Sequence, residues 1–207
     1  MCECHPPPGP TGLEGLERLF VVISHRAHTV PDFGLNDLCG AAGRWDVPIR
    51  CINASLFLSH AMRRDTGILL VLASGPSPRL LLVRGDLVRH LNPDERSTGA
   101  LMLRALGLDA GPLWRCATPG IFTRDGTLAT AMELVHGIGL ATVVLREEGA
   151  PPDISRQGEQ GLAFVIGDDQ GFSADDETII GGLRGVSLGP LSLHANHCIV
   201  IIHNRLD

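Results

Sequence analysis

Two glycine-bearing turns near the C-terminus carry the residues best placed for chemistry. An apolar strand expected over Leu162–Ile166 runs directly into Gly167-Asp168-Asp169-Gln170-Gly171. A second short strand, Val186–Leu188, breaks at Gly189-Pro190 ahead of a helix that closes the chain. Strand ends that turn sharply before a helix are where α/β folds build ligand crevices, and glycine lets a ligand approach the backbone there. Ser187 and Ser192 add hydroxyls beside free N–H groups at a helix start. This pattern implies a small-molecule pocket and leaves the molecule open; two tight loops with no ligand would look the same. The acidic run Asp175-Asp176-Glu177, after the capping residue Ser173, reads as a solvated helix start. No metal-ligand spacing stands out, and Cys2-Glu3-Cys4-His5 lies in a proline-rich stretch that we read as disordered.

The elements that must position these turns alternate between strand and helix. Leu19–Ile23 is a buried-type strand with His25-Arg26 at its C-terminal end, where active sites of parallel sheets collect. Thr29–Val47 is a long loop rich in Gly, Asp and Asn, followed by a helix expected over Pro48–Met62. Strands are expected at Ile68–Ala73 and Arg79–Val83. Asn92-Pro93-Asp94-Glu95 has the grammar of a helix start with Asn92 as N-cap, and that helix stops at Gly107. A loop over 108–118, a strand at Gly120–Thr123, a helix at Leu128–His136 and a strand at Leu140–Leu145 follow, then a Gly/Pro-rich connection from Ala150 to Gly161. This order predicts a mostly parallel sheet with helices on both faces, in one domain over 18–207 behind an extension, residues 1–17.

Composition sets limits. The 207 residues carry a net charge of −6, and the 17 basic residues are all Arg. An RNA footprint on such a chain must be a local Arg patch, not a global field. Mean hydropathy is +0.16, no apolar run is long enough to cross a bilayer, and the N-terminus lacks a signal-peptide pattern. A cytoplasmic location is expected, with all six cysteines reduced. No G-x-G-x-x-G follows a strand, which counts against a dinucleotide-binding enzyme.

Longer motifs are more specific. GDDQG followed by SLGPLSLHANHCIVIIHNRLD resembles the SPOUT RNA methyltransferases, in particular the archaeal-type tRNA pseudouridine N1-methyltransferases (the TrmY family). RLFVVISHR (18–26), the block from Asp32 to Asp65, NPDERST (92–98) and LATVVLREEG (140–149) are similar as well, in the same order. The resemblance implies a C-terminal trefoil knot, a homodimer, S-adenosylmethionine (SAM) as cofactor, RNA as partner (tRNA first), and no metal or membrane. It implies cofactor contacts at Leu145, Gly167, the loop Ser187, Leu188, Gly189, Pro190, Leu191 and Ser192, and Cys198. Relatives acting on ribosomal RNA use an Arg-x-Asp pair, matched here by Arg44-Trp45-Asp46. Asp46 is then the candidate base or hydrogen-bond acceptor, with Asp37 as the second acid. Arg44, Arg50, Arg26 and Arg96 are candidate RNA contacts, and Trp45 and Phe33 candidate stacking surfaces. The implied activity is N1 methylation of pseudouridine at tRNA position 54. Ribosomal RNA, another tRNA site, or a non-catalytic SAM-binding module remain as alternatives.

Overall fold

The computed structural model describes residues 4–150 and 161–207. Its core is one eight-stranded mixed sheet in the order β4-β5-β3-β2-β1-β7-β6-β8. The strands are β1 (Arg18–Ser24), β2 (Thr66–Leu72), β3 (Arg79–Arg84), β4 (Arg115–Thr118), β5 (Ile121–Asp125), β6 (Ala141–Ala150), β7 (Leu162–Ile166) and β8 (Arg184–Val186). Helices are α1 (Asp46–Leu56), α2 (Glu95–Leu106), α3 (Leu128–Gly137), α4 (Ala174–Ile180) and α5 (Ala195–Leu206). The ladders β2–β1–β7–β6–β8 are parallel, whereas β2–β3, β3–β5 and β4–β5 are antiparallel. Every residue of β1, β2 and β7 is buried, as expected for central strands covered on both faces. Two apolar clusters fill those faces. One packs Phe20, Phe164 and Trp45 under α1, α2 and α5; the other packs Val21, Val165 and Phe122 against α3.

Several boundaries differ from the sequence reading for identifiable reasons. Helix α1 stops at Leu56, because Phe57 turns extended and bridges Met62 in a tight reversal. The start of α2 is capped by Asp94, whose carboxylate accepts the Ser97 N–H at 2.8 Å. Asn92 instead offers its carbonyl to the Thr98 hydroxyl. The expected loop at 108–118 contains β4, completed by pairing with β5. The connection at 151–160 lies outside the described residues.

The largest correction is at the N-terminus. Residues 11–17 pack against the sheet and Cys4 is tied down by a disulfide, although 4–6 and 8–10 are exposed, while 1–3 lie outside the description. Leu13 and Leu16 are buried in the second cluster. Arg84, itself buried, donates to the carbonyls of Gly12 and Glu14 at 2.7 and 2.9 Å, and the Trp114 indole donates to Thr11 O at 2.7 Å. The expectation of reduced cysteines fails at the same place: Cys4 is disulfide-bonded to Cys116 of β4. Proline spacing marks extended backbone, and it is the apolar Leu13 and Leu16 that decide burial.

At the other end, α5 is pinned by charge. Arg18, at the start of β1, hydrogen-bonds the Nδ1 of buried His203, whose Nε2–H donates to Ser55 O of α1 at 3.0 Å. Burial, with Arg63 and Arg18 nearby, depresses the His203 pKa to about 4, so it remains neutral. Arg63 and Arg18 clasp the Asp207 carboxylate and lower its pKa to about 2. No described helix is long and apolar enough to cross a membrane.

The disulfide joins residues 112 apart, so cutting it frees a long loop in the unfolded chain. Reductant, or Cys4→Ser, is expected to lower the melting temperature by roughly 5–15 °C in scanning calorimetry.

Candidate active site

The C-terminal ends of β7, β6 and β8 open onto one cavity of about 590 Å³, a size suited to a cofactor-sized ligand. Leu145 and Arg146 from β6, Gly167 through Phe172 after β7, the Leu188–His194 segment and the first turn of α5 supply most of its wall. Of the residues implied for a cofactor, Leu145, Gly167, Leu188, Gly189, Leu191, Ser192 and Cys198 line it. Ser187 and Pro190 do not. Ser187 braces the loop instead, its hydroxyl bridging the carbonyls of Glu147 and Gly189 at 2.9 Å each. Burial raises the Cys198 pKa, so its thiol stays protonated and suits a wall residue.

The loop after β7 is tightly made. Asp168 and Gly171 form an antiparallel bridge, and a Cβ on Gly167 would lie 2.7 Å from Gly171 O. Gly171 takes φ +74, a conformation that costs little only for glycine. Behind the loop, His25 joins three elements. Its backbone N–H donates to Asp168 Oδ2 at 2.8 Å, and its Nε2–H donates to Asp176 Oδ2 at 2.7 Å, a carboxylate that also accepts from Ser173. Asp168 first, against a desolvation cost, and then Asp176 raise the imidazole pKa to about 9. Asp168 is desolvated, yet its bonds to His25 and to the Gln170 amide keep its pKa below the ordinary carboxylate value. The sequence marked His25 only by its place at a strand end; its partners are 143 and 151 residues away.

At the cavity mouth the implied substrate residues form a ribbon of alternating charge. Arg26 and Arg44 approach Asp169 Oδ2 at 3.4 and 3.5 Å, Arg44 pairs with Asp46 at 2.9 Å, Arg50 pairs with Asp46 at 2.5 Å, and Arg50 reaches Glu95 at 3.7 Å. Arg44 holds its place with φ +70, backbone strain of a kind common at functional sites. Asp169 and Arg50 line the cavity; Arg26, Arg44 and Asp46 do not.

This geometry bears on four expectations. The Asp46 side chain is only 1% exposed and both oxygens are taken by arginine. Burial opposes its charge, but Arg44 and Arg50 outweigh that and lower its pKa, so it is a poor proton acceptor and a good anchor for two guanidinium groups. Asp37 accepts the Gly40 and Ala41 amides at 2.8 and 2.9 Å and serves a turn. Arg96 binds Asn36, away from the cavity. Trp45 is fully buried, its indole donating to His28 O, so it cannot stack on a base. Phe33, stacked on it at 5.9 Å, is only half-buried. Among the described residues no His, Cys, Asp and Glu cluster could hold a metal.

Comparison with known proteins decides the family. The model of the SAM-dependent RNA methyltransferase family matches residues 17–207. The chain belongs to this family. The methyltransferase is 42% identical over 195 residues to a tRNA (pseudouridine(54)-N(1))-methyltransferase of Methanococcoides burtonii, covering 92% of this chain and 96% of the relative. It is 42% identical to the same-named protein of Methanosarcina mazei, covering 92% and 90%. Archaeoglobus fulgidus Nep1 bound to S-adenosylhomocysteine has a TM-score of 0.62 at 17% identity, covering 92% of this chain and 99% of that one, a likeness of fold.

The His25 clamp predicts a pH dependence. A raised pKa stabilises the fold in full below the unfolded value near 6.5, and the stabilisation is lost as pH rises through about 9. Discounted for the partial exposure of the imidazole, the melting temperature should fall by roughly 3–6 °C between pH 6.5 and 9. Calorimetry of His25→Gln should show that step absent.

Proposed function

We propose that this methyltransferase transfers the methyl group of SAM to N1 of pseudouridine at position 54 of tRNA. The observation that carries the proposal is the cavity at the ends of β7, β6 and β8, in a chain 42% identical to proteins named for that reaction. The residues present suit SAM. Leu145, Ile166, Leu188 and Leu191 would offer apolar surface to adenine, backbone groups of the 187–192 loop could bond its edge, and Asp169 and Glu147 would supply negative charge for a sulfonium and an ammonium. When bound, SAM supplies an activated methyl group for in-line displacement.

The chain's task is then to place the acceptor nitrogen in line and receive its proton. The Asp169 carboxylate lies in the cavity wall beside Arg26 and Arg44 and is the acid placed for that proton. Asp46 positions Arg44 and Arg50, which with Arg26 present donors to RNA phosphate or base edges. Phe33 offers a ring to an unstacked base. SAM-binding without catalysis is the weaker reading, because an acid and three arginines converge beside the cofactor cavity.

The trefoil knot and homodimer belong to the same proposal. Strand β7 lies between β1 and β6, and α5 returns to α1 through the Arg18–His203–Ser55 contacts, which favours a threaded C-terminus. Leu191 and Val200 are 74% and 53% exposed beside the cavity and on α5, apolar surface that a second copy would cover. A tRNA substrate favours the cytoplasm.

The test is nucleoside mass spectrometry of tRNA incubated with the protein and labelled SAM, with and without prior pseudouridylation. Label is expected in N1-methylpseudouridine only in the pseudouridylated tRNA, and Asp169→Asn should cut the rate by roughly 10²–10⁴-fold. No label in the pseudouridylated tRNA, or label in a nucleoside other than N1-methylpseudouridine, would overturn the assignment.

A further inference from the structure

The acidic first turn of α4 reads in the sequence as a solvated helix start. In the folded chain it ties down two basic side chains from different strands. Asp176 Oδ2 receives His25 from the end of β1 at 2.7 Å. Glu177 receives Arg146 of β6 through both terminal nitrogens, at 2.6 and 2.8 Å. The Arg146 guanidinium lies over the Phe172 ring at 5.7 Å, and its stem covers Gly185, where an added Cβ would sit 3.1 Å from Cδ. The cavity wall from Gly167 to Phe172 runs between these two anchors. Asp168, Arg146 and Phe172 line the cavity, whereas Asp176 and Glu177 do not.

We propose that Asp176 and Glu177 are positioning residues for the cofactor, holding the 167–173 loop in its binding geometry before any ligand arrives. The inference rests on the reading of the cavity as the SAM site. A loop fixed in advance spends less of the interaction energy on ordering when the ligand binds. Glu177 is 40% exposed, and an isolated surface pair of that kind contributes little to stability. A forked Arg–carboxylate contact stacked on an aromatic ring instead fixes geometry, here that of the side chain that walls the cavity beside Leu145. Asp176 works from the other side through His25, whose backbone N–H carries Asp168.

A purely structural role would lower the melting temperature and leave ligand affinity in the folded protein unchanged. The full chain, titrated calorimetrically with S-adenosylhomocysteine, separates the two. Glu177→Gln and Arg146→Gln should each raise Kd by roughly five- to thirtyfold, and the double variant should bind no more weakly than the weaker single one. In methyl-transfer assays Glu177→Gln should raise KM for SAM while leaving kcat at saturating SAM unchanged. Asp176→Asn should weaken binding in the same way; if it fails to fold, Glu177→Gln decides. Wild-type affinity in a folded Glu177→Gln variant, or additive losses in the double variant, would overturn the proposal. A wild-type protein that binds no S-adenosylhomocysteine would instead overturn the cofactor reading beneath it.

Discussion

The imidazolium of His25, held between Asp168 and Asp176, is the interaction on which the site depends. It fastens the end of β1 to the loop after β7 and to the start of α4, three pieces of chain with no local reason to meet. Two carboxylates converging in a partly buried place would repel; a cation between them turns the repulsion into a clamp. The tightly bridged turn from Asp168 to Gly171 is then held through Asp168, a residue that itself lines the cavity, and the cavity keeps its shape.

The mouth follows the same logic with the charges reversed. Asp46 is an anion buried at a helix start, and leaving it unpaired would be costly. Arg44 and Arg50 satisfy it and are aligned in return, in register with Arg26 and Asp169. A chain with net charge −6 can thus offer RNA a local row of guanidinium groups. Using arginine throughout suits this, because its fork can serve a structural carboxylate while remaining available to phosphate.

The sequence carried the frame of this account. Glycine turns at strand ends located the cavity, and Leu145, Gly167, the 187–192 loop and Cys198 fell on or beside its wall. What it hid depended on partners far away in the chain. A histidine after a strand does not announce carboxylates 143 and 151 residues later. Asp46 reads as a candidate base until two arginines are seen to occupy it. The proline-rich start resembles a loose tail because burial of Leu13 and Leu16 depends on a sheet that forms elsewhere, and Cys4 meets Cys116 only once β4 takes its edge position. Asp94 displaced Asn92 as the cap of α2 because only its carboxylate reaches the Ser97 amide.

The most direct test of the account is a crystal structure of the protein grown with S-adenosylhomocysteine. The ligand is expected in the cavity at the ends of β7, β6 and β8, with adenine against Leu145 and Leu191, Cys198 in the wall, and Asp169 facing the sulfur side. Ligand bound anywhere else, or a 167–173 loop that must rebuild to admit it, would contradict the claim that this chain folds with its cofactor site already formed.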